Sequence, residues 1–558
     1  MKLIYKILTI FIAFTLLLCN SCTDLDETIY TDLSDKNLDF TDEATIASLV
    51  GSVYSRLRFV YWDWNGYFDI QEESSDCIMT PLRIGIGWGD LYIAMHQHTY
   101  HSTIDHFWIT WNHCYNGIGY ANACLDIETV QEDVKLSAKI RAMRALFYYI
   151  VFDCFRNVPL VTTFNLPEGY LPEQADPQTT YDFIINELKA IKNDLGTEKV
   201  YGQPNKYMAH MLLAKMYLNH NAWFDDHSSN EYYELALAEA DSVIQFGGYT
   251  LESNYKDCFL EDLSTSTEII FAIPLDYTYA NHNYLAQKCL LNAGAKAYGY
   301  TGECWGGSCA VPQFIDTYDE NDKRFDDTWA HGQQYDYETG EALTADVDKQ
   351  GVVQLVYTQQ VHSIDNPGAY MLEGYRYVKN EILPGVYGTR GDDVPFFRLA
   401  DAMFIKAECL LRLGRNQQEA ANLVTQVRQR SFDSIADATR TVEDLTGGSV
   451  YDYGHREYTS EGATNYDPES FIATYEGGDD IEFGGLLDDL AWEFVGEHHR
   501  RQDLIRFQLT SKQNTNVYNG KSWFCKDADF DANKNIFPIH QEFMDGNKEL
   551  VQNPGYGE

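Results

Sequence analysis

A chain of 558 residues with 45% hydrophobic residues can bury a large core, as one large domain or two to three smaller ones. It carries 41 Lys and Arg against 84 Asp and Glu, a formal charge of −43, which argues against nucleic acid or anionic lipid as ligand because phosphates would be repelled. The aromatic fraction is 14%, with 40 Tyr and 10 Trp, and such residues beyond the needs of a core often line recognition surfaces.

At the start, Lys2 and Lys6 precede an apolar run, Ile7 to Leu18, whose length suits a secretory signal better than a membrane span. The run leads into Cys19-Asn20-Ser21-Cys22. A small residue before Cys resembles a bacterial lipoprotein processing site, with Cys22 as the lipidated first residue. The alternative is an ordinary secreted protein cleaved nearby. The acidic Thr23-Asp24-Leu25-Asp26-Glu27 reads as a solvated tether and favours the lipoprotein.

Apolar periodicity then predicts a helix from Thr41 to Phe59, followed by the aromatic cluster Tyr61-Trp62-Asp63-Trp64-Asn65-Gly66-Tyr67. Asp63, Asn65 and Gly66 predict a turn at 62–67, hence a surface position. Pro81 to Asp90 is Gly-rich around Trp88, and a helix runs through Trp108 and Tyr115. Ala138 to Phe155 is a helix apolar all round in its second half, so buried. Its partner begins at Thr179, capped with Asp182, and reaches Leu195-Gly196. A third helix starts at Asn205, and its partner stops at Gly247-Gly248.

Phe397 to Phe432 carries the clearest helix hairpin: Leu399, Met403, Ala407, Leu410 and Leu413 form one stripe, Gly414 ends it, and Asn416 with Glu419 supplies a capping box for the next helix. The pairs at 138–195, 205–246 and 397–431 form a degenerate tetratricopeptide-like pattern. Leu486 to Phe507 reads as one further long helix. Strands are expected at Glu268–Ile273, Val352–Thr358 and Tyr375–Lys379. The polar stretch Thr439 to Asp480 reads as a long surface excursion. Of ten cysteines beyond Cys22, Cys154 and Cys409 sit among apolar residues as small hydrophobes, and only Cys304 and Cys309 look placed for a local bridge.

Several segments in order resemble the SusD/RagB family of outer-membrane lipoproteins of the Bacteroidetes. They are Ile140 to Tyr149 continuing to Arg156-Asn157-Val158-Pro159-Leu160, Glu268 to Phe271, Asn321 to Phe325, Phe397 to Glu408, Glu493 to Arg506, and the tail Phe537-Pro538-Ile539-His540 with Asn553-Pro554-Gly555-Tyr556. The resemblance implies a mainly α fold with four tetratricopeptide-like helix pairs packed against an irregular, loop-rich part with a few short strands. It implies a signal peptide at 1–21, an acidic tether at 22–40, a SusD-like N-terminal part at 41–265 and a SusD/RagB C-terminal part at 266–558. It further implies no catalysis but capture of an oligosaccharide, or in some branches a peptide, at the cell surface, for delivery to a SusC-like TonB-dependent transporter.

A sugar ring presents a flat face of C–H groups that a Trp or Tyr ring covers while polar groups bond its hydroxyls. The expected ligand contacts are Trp62, Trp64, Trp88, Tyr298 and Trp305, with Tyr300 beside them. The competing reading of each is simple core burial. His96, His98, His101, His106 and His113 fit no common metal spacing. Asp527, Asp529, Asp531, Asn533 and Asn535 alternate like a calcium loop but lack its Gly and final Glu, so a solvated turn is favoured over calcium. The rival class is a glycoside hydrolase, for which Glu72-Glu73 or Asp479-Asp480 are the carboxylates to nominate. A third is a scaffold that uses its helix pairs to hold a partner.

Overall fold

The computed structural model describes residues 42–62, 65–226, 228–280, 284–347, 351–365, 368–387, 391–454, 456–458, 471–508 and 531–557. The leader, Cys22, the tether, Asp63, Trp64, Asp527 and Asp529 lie outside them. Two compact units divide the chain, Met1–Ser48 and Leu49–Glu558. Of the first, only the start of the helix Glu43–Trp62 is described. Among the described residues no helix is long and apolar enough to cross a membrane.

The larger unit is mainly helical, with short two-stranded sheets. Its helices pack in succession: Asp105–Leu125 on Val134–Phe155, and that on Pro177–Ile191. Lys206–Phe224 lies on Glu231–Phe246, which packs on Leu399–Arg412, the partner of Gln417–Arg428. The second half of Val134–Phe155 is buried on every side, as its all-round apolar sequence requires. Asp133 caps its start by accepting the N–H groups of Lys135 and Leu136 at 3.1 and 3.0 Å. Asn205 caps the next pair in the same way.

Five local expectations are corrected. The helix Pro177–Ile191 is capped by Asp176 with Pro177 in its first turn, so Thr179 is already inside it. Asn416 adopts a left-handed backbone with φ 48°, and its side chain makes no capping hydrogen bond. The expected helix through Leu486 to Phe507 is two helices, Gly484–Phe494 and Arg500–Gln508. It breaks where Gly496 and His498 take φ of 79° and 59°. The stretch after Thr439 is no free excursion: Leu445, Tyr451 and Tyr453 are buried, and the Tyr451 hydroxyl donates to the Asp76 carbonyl at 2.8 Å. No disulfide joins Cys304 and Cys309. The Cys304 N–H is held by Asn292 Oδ1 at 2.7 Å, while Cys309 sits in a strand opposite Met79.

The residues that carry the family resemblance build the interior. Arg141 and Arg144 both clamp Glu187 on the neighbouring helix, at 2.7 and 2.8 Å. Arg398 bridges Glu268, Glu493 and Glu497 at 3.1, 2.7 and 2.7 Å. Arg324 and Arg430 reach the same Glu493. Burial opposes its charge, yet Arg430, Arg398 and Arg324 hold the Glu493 carboxyl well below the usual carboxylate range. The tail closes the fold: Asn553 donates to the Phe155 and Phe537 carbonyls at 2.8 and 2.7 Å, and Phe537 stacks on Phe107.

Candidate functional site

A turn from the N-terminal part and one from the C-terminal part bring two of the expected aromatics together. The Gly-rich turn before Trp88 and the turn Cys304-Trp305-Gly306-Gly307 meet so that Trp88 Nε1 donates to the Trp305 carbonyl at 2.8 Å. Two glycines make this approach possible. A Cβ at Gly307 would lie 2.8 Å from the Trp88 ring, and Gly306 holds φ 64°, where a side chain would strike Leu291. Trp305 is fixed by an antiparallel bridge to Leu291 and stacks on Tyr284 at 5.8 Å. Trp88 meets Tyr92 edge-on at 5.3 Å.

The two indoles line a cleft of about 690 Å³. Its floor is apolar: Leu291, Ala345 and Val347 belong to one buried cluster. Its polar wall is Asn292, Glu303 and Asp346. Asp346 faces outward because the strand Thr344–Val347, paired with Gly351–Gln354, alternates exposed and buried residues. Glu303 and Asp346 are exposed.

Beneath the floor lies a buried polar cluster that fixes the walls. Lys288 reaches Asp69 at 2.5 Å and Glu73 at 2.8 Å. Its ammonium also sits 4.5 Å from the Tyr92 ring that supports Trp88. The Tyr92 hydroxyl donates to Asp69 at 3.1 Å, and His106 pairs with the same carboxylate at 3.2 Å. Burial works against the charge of Asp69, but Lys288 and His106 hold its carboxyl below the usual value. The backbone of Gln287 and Lys288 in turn accepts the N–H groups of Trp305 and Gly307. One lysine thus ties both aromatic turns to the core.

The other expected site residues lie elsewhere. Tyr298 is half-buried against the cluster under the cleft and does not line it, and Tyr300 is buried. Trp62 closes its helix, and Trp64 is outside the described residues. The flank of that segment is core rather than surface turn: Asn65, Gly66 and Tyr67 are buried. A second cavity, of about 420 Å³, lies beside Tyr54, Arg58, Tyr201 and Phe271. Its walls are mostly apolar, and it lacks paired indole faces.

The nominated pair Glu72-Glu73 is buried and committed to the core. Glu73 is spent on Lys288, Thr80 and Ser308, and Glu72 accepts the His498 N–H at 2.8 Å. Of the histidines, His96, His98 and His106 are buried apart from the exposed His101. Among the described residues, no three His, Cys, Asp or Glu are grouped to hold a metal ion. Asp531 caps the short turn Ala532–Asn535 by accepting the Asn533 N–H.

Asn292, Glu303 and Asp346 escaped the sequence reading. In a chain with 84 acids a single Glu or Asp carries no signal. Only the strand alternation around Asp346 could have marked it as outward-facing.

The family model for the SusD family matches residues 267–556, and a second, described as "Starch-binding associating with outer membrane", matches 35–218. The chain is 24% identical over 469 residues to the starch-binding protein SusD of Bacteroides thetaiotaomicron, covering 77% of this chain and 74% of that protein. Among solved structures, a laminarin-binding SusD-like protein superposes with a TM-score of 0.63 at 19% identity, over 92% of this chain and 100% of the other. Surface glycan-binding protein A from Bacteroides uniformis does so with a TM-score of 0.65 at 19% identity, over 92% and 99%. At these identities the structural likeness establishes the fold.

Proposed function

Because this chain belongs to the SusD family, we propose that it is a cell-surface lipoprotein that binds an oligosaccharide in the Trp88–Trp305 cleft and delivers it to a SusC-like TonB-dependent transporter. One observation carries the reading: two indoles from turns 217 residues apart are bonded into one cleft, beside the polar groups that sugar hydroxyls need. Starch binding and glycan binding among the relatives support the ligand class at the level of the family. Association with the outer membrane follows the family description. Trp62 and Trp64 are proposed as further contacts, and Tyr298 as a support behind the cleft. No cofactor is required.

The anchor in this reading is Cys22. Cys22→Ala should leave the chain exported but no longer membrane-associated, and a variant as membrane-bound as the parent would remove the lipoprotein from the account. The transporter is assigned to the helical face, and mild-detergent extraction should co-purify it in comparable amount.

The function itself is tested on a glycan array, with a parallel assay for released reducing ends. Retention of a glycan without cleavage is the expected result. Cleavage would make the protein a hydrolase, and retention of peptides instead of glycans would move it to the peptide-binding branch.

A further inference from the structure

We propose that the Trp88–Trp305 cleft selects its ligand by charge: it seats oligosaccharides that are uncharged or amino-bearing, and excludes those carrying carboxylate or sulfate groups. The inference rests on the reading of this cleft as a glycan site, and adds Glu303 and Asp346 as its specificity-determining residues.

Glu303 and Asp346 are the charged side chains that line the cleft among the described residues. Both are exposed, and among the described residues neither carboxylate has a hydrogen-bond or ion-pair partner. A sugar hydroxyl or amine can donate to them. A uronate or sulfate cannot, and brings like charge against like charge.

Cations are present close by, but the fold has turned them inward. Arg83 donates to the carbonyls of Gly307, Tyr370 and Glu373 at 2.7 to 3.1 Å. Arg376 donates to the carbonyls of Ser308 and Met371. Lys288 is sealed between Asp69 and Glu73. All three are buried. The acceptors of Arg83 and Arg376 lie at or beside Trp305 and Met371, and the Lys288 carbonyl holds the Gly307 N–H, so none of the three is among the residues that line the cleft. An anionic sugar entering the cleft meets two exposed carboxylates, no cation among the described lining residues, and a protein of net charge −43. Screening weakens the repulsion at high salt but supplies no pairing partner.

The test runs the intact protein through native gels containing single polysaccharides: amylopectin, laminarin, galactomannan and soluble chitosan on one side, polygalacturonate, alginate and chondroitin sulfate on the other. The expected result is retardation by at least one member of the first group and none of the second, abolished by Trp88→Ala with Trp305→Ala. The carboxymethylated form of the retarding polymer should bind the parent at least about tenfold more weakly than the plain form. The double variant Glu303→Gln, Asp346→Asn should narrow the ratio of plain to carboxymethylated affinity from that tenfold or more to within about threefold, and an unchanged ratio would overturn the assignment of selection to these two residues. Retardation by a polyanion that requires Trp88 and Trp305 would overturn the charge selection while leaving the glycan reading intact. So would equal binding of plain and carboxymethylated polymer by the parent. Retardation by no polymer in either group would overturn the glycan reading itself, and the selection with it.

Discussion

The interior around Glu493 and the cleft around Trp88 use charge in opposite ways. In the interior the central carboxylates are answered: Glu493 meets Arg324, Arg398 and Arg430, and Glu497 meets Lys379 and Arg398. In the cleft the carboxylates of Glu303 and Asp346 are left open to solvent. The motif residues that carry the family resemblance fall almost wholly in the first region. They specify how helices and strands are tied together, and are therefore silent about what the cleft binds.

The largest effect is expected from breaking the interior. Glu493→Gln leaves three buried guanidinium groups short of a counter-charge, and removal of one partner from a buried pair typically costs about 3–5 kcal/mol. Urea unfolding should show that loss, while the fraction that remains folded binds glycan as before. If binding fell in proportion to stability, the two regions would not be separable.

A comparable effect, roughly 3 kcal/mol, is expected from pH, through a buried carboxyl that is not answered. Burial pushes Glu72 up to about 7, against the help of the His498 and Gly496 N–H groups. Its folded value lies above its unfolded one, so its contribution is fully present below the unfolded pKa and is lost as pH rises through 7. Glu408 has the opposite sign. Burial opposes its charge, but Arg506 and Arg412 bring it down to about 2, so its contribution is present above the unfolded pKa and lost as pH falls toward 2. Between pH 5 and pH 8 the stability of the parent relative to Glu72→Gln, which keeps the acceptor for the His498 N–H, should therefore fall as pH rises, whatever the buried histidines contribute to both. Thermal melts across that range measure the difference.

A smaller change in free energy, confined to binding, is expected in the cleft. Losing an aromatic anchor costs about 2 kcal/mol, or roughly thirtyfold in affinity. Trp88→Ala with Trp305→Ala should show at least that by calorimetry, with the helical circular dichroism retained. Tyr298→Phe should change affinity by less than about 0.5 kcal/mol, since its ring supports the floor from behind.

The helical part was legible because burial and periodicity agree there. Ala209, Leu212, Leu213 and Met216 recur at helical spacing and are all buried, with Asn205 capping the start. The break at Gly496 and His498 was passed over because the apolar stretches on either side, ending at Val495 and resuming at Leu504, invite one helix across the polar residues between them, where Gly496 was the sole local signal of a turn. Asn416 misled for a similar reason: Asn favours both the cap and the left-handed region, and tertiary packing chose the latter. In the cleft, Trp88 and Trp305 stood out as aromatics among glycines. Their union did not, since no local spacing links residues so far apart. Nor did Lys288, a basic residue whose burial beneath both turns only the fold reveals.

The most direct test of the account is the structure of the intact protein bound to the polymer fragment that the glycan array selects. The account predicts a sugar ring packed face-on against Trp88 or Trp305 within about 4.5 Å, with Glu303 or Asp346 accepting from its hydroxyls or amine. A ring that touches neither indole, seated instead in the apolar cavity beside Tyr54 and Arg58, would contradict it.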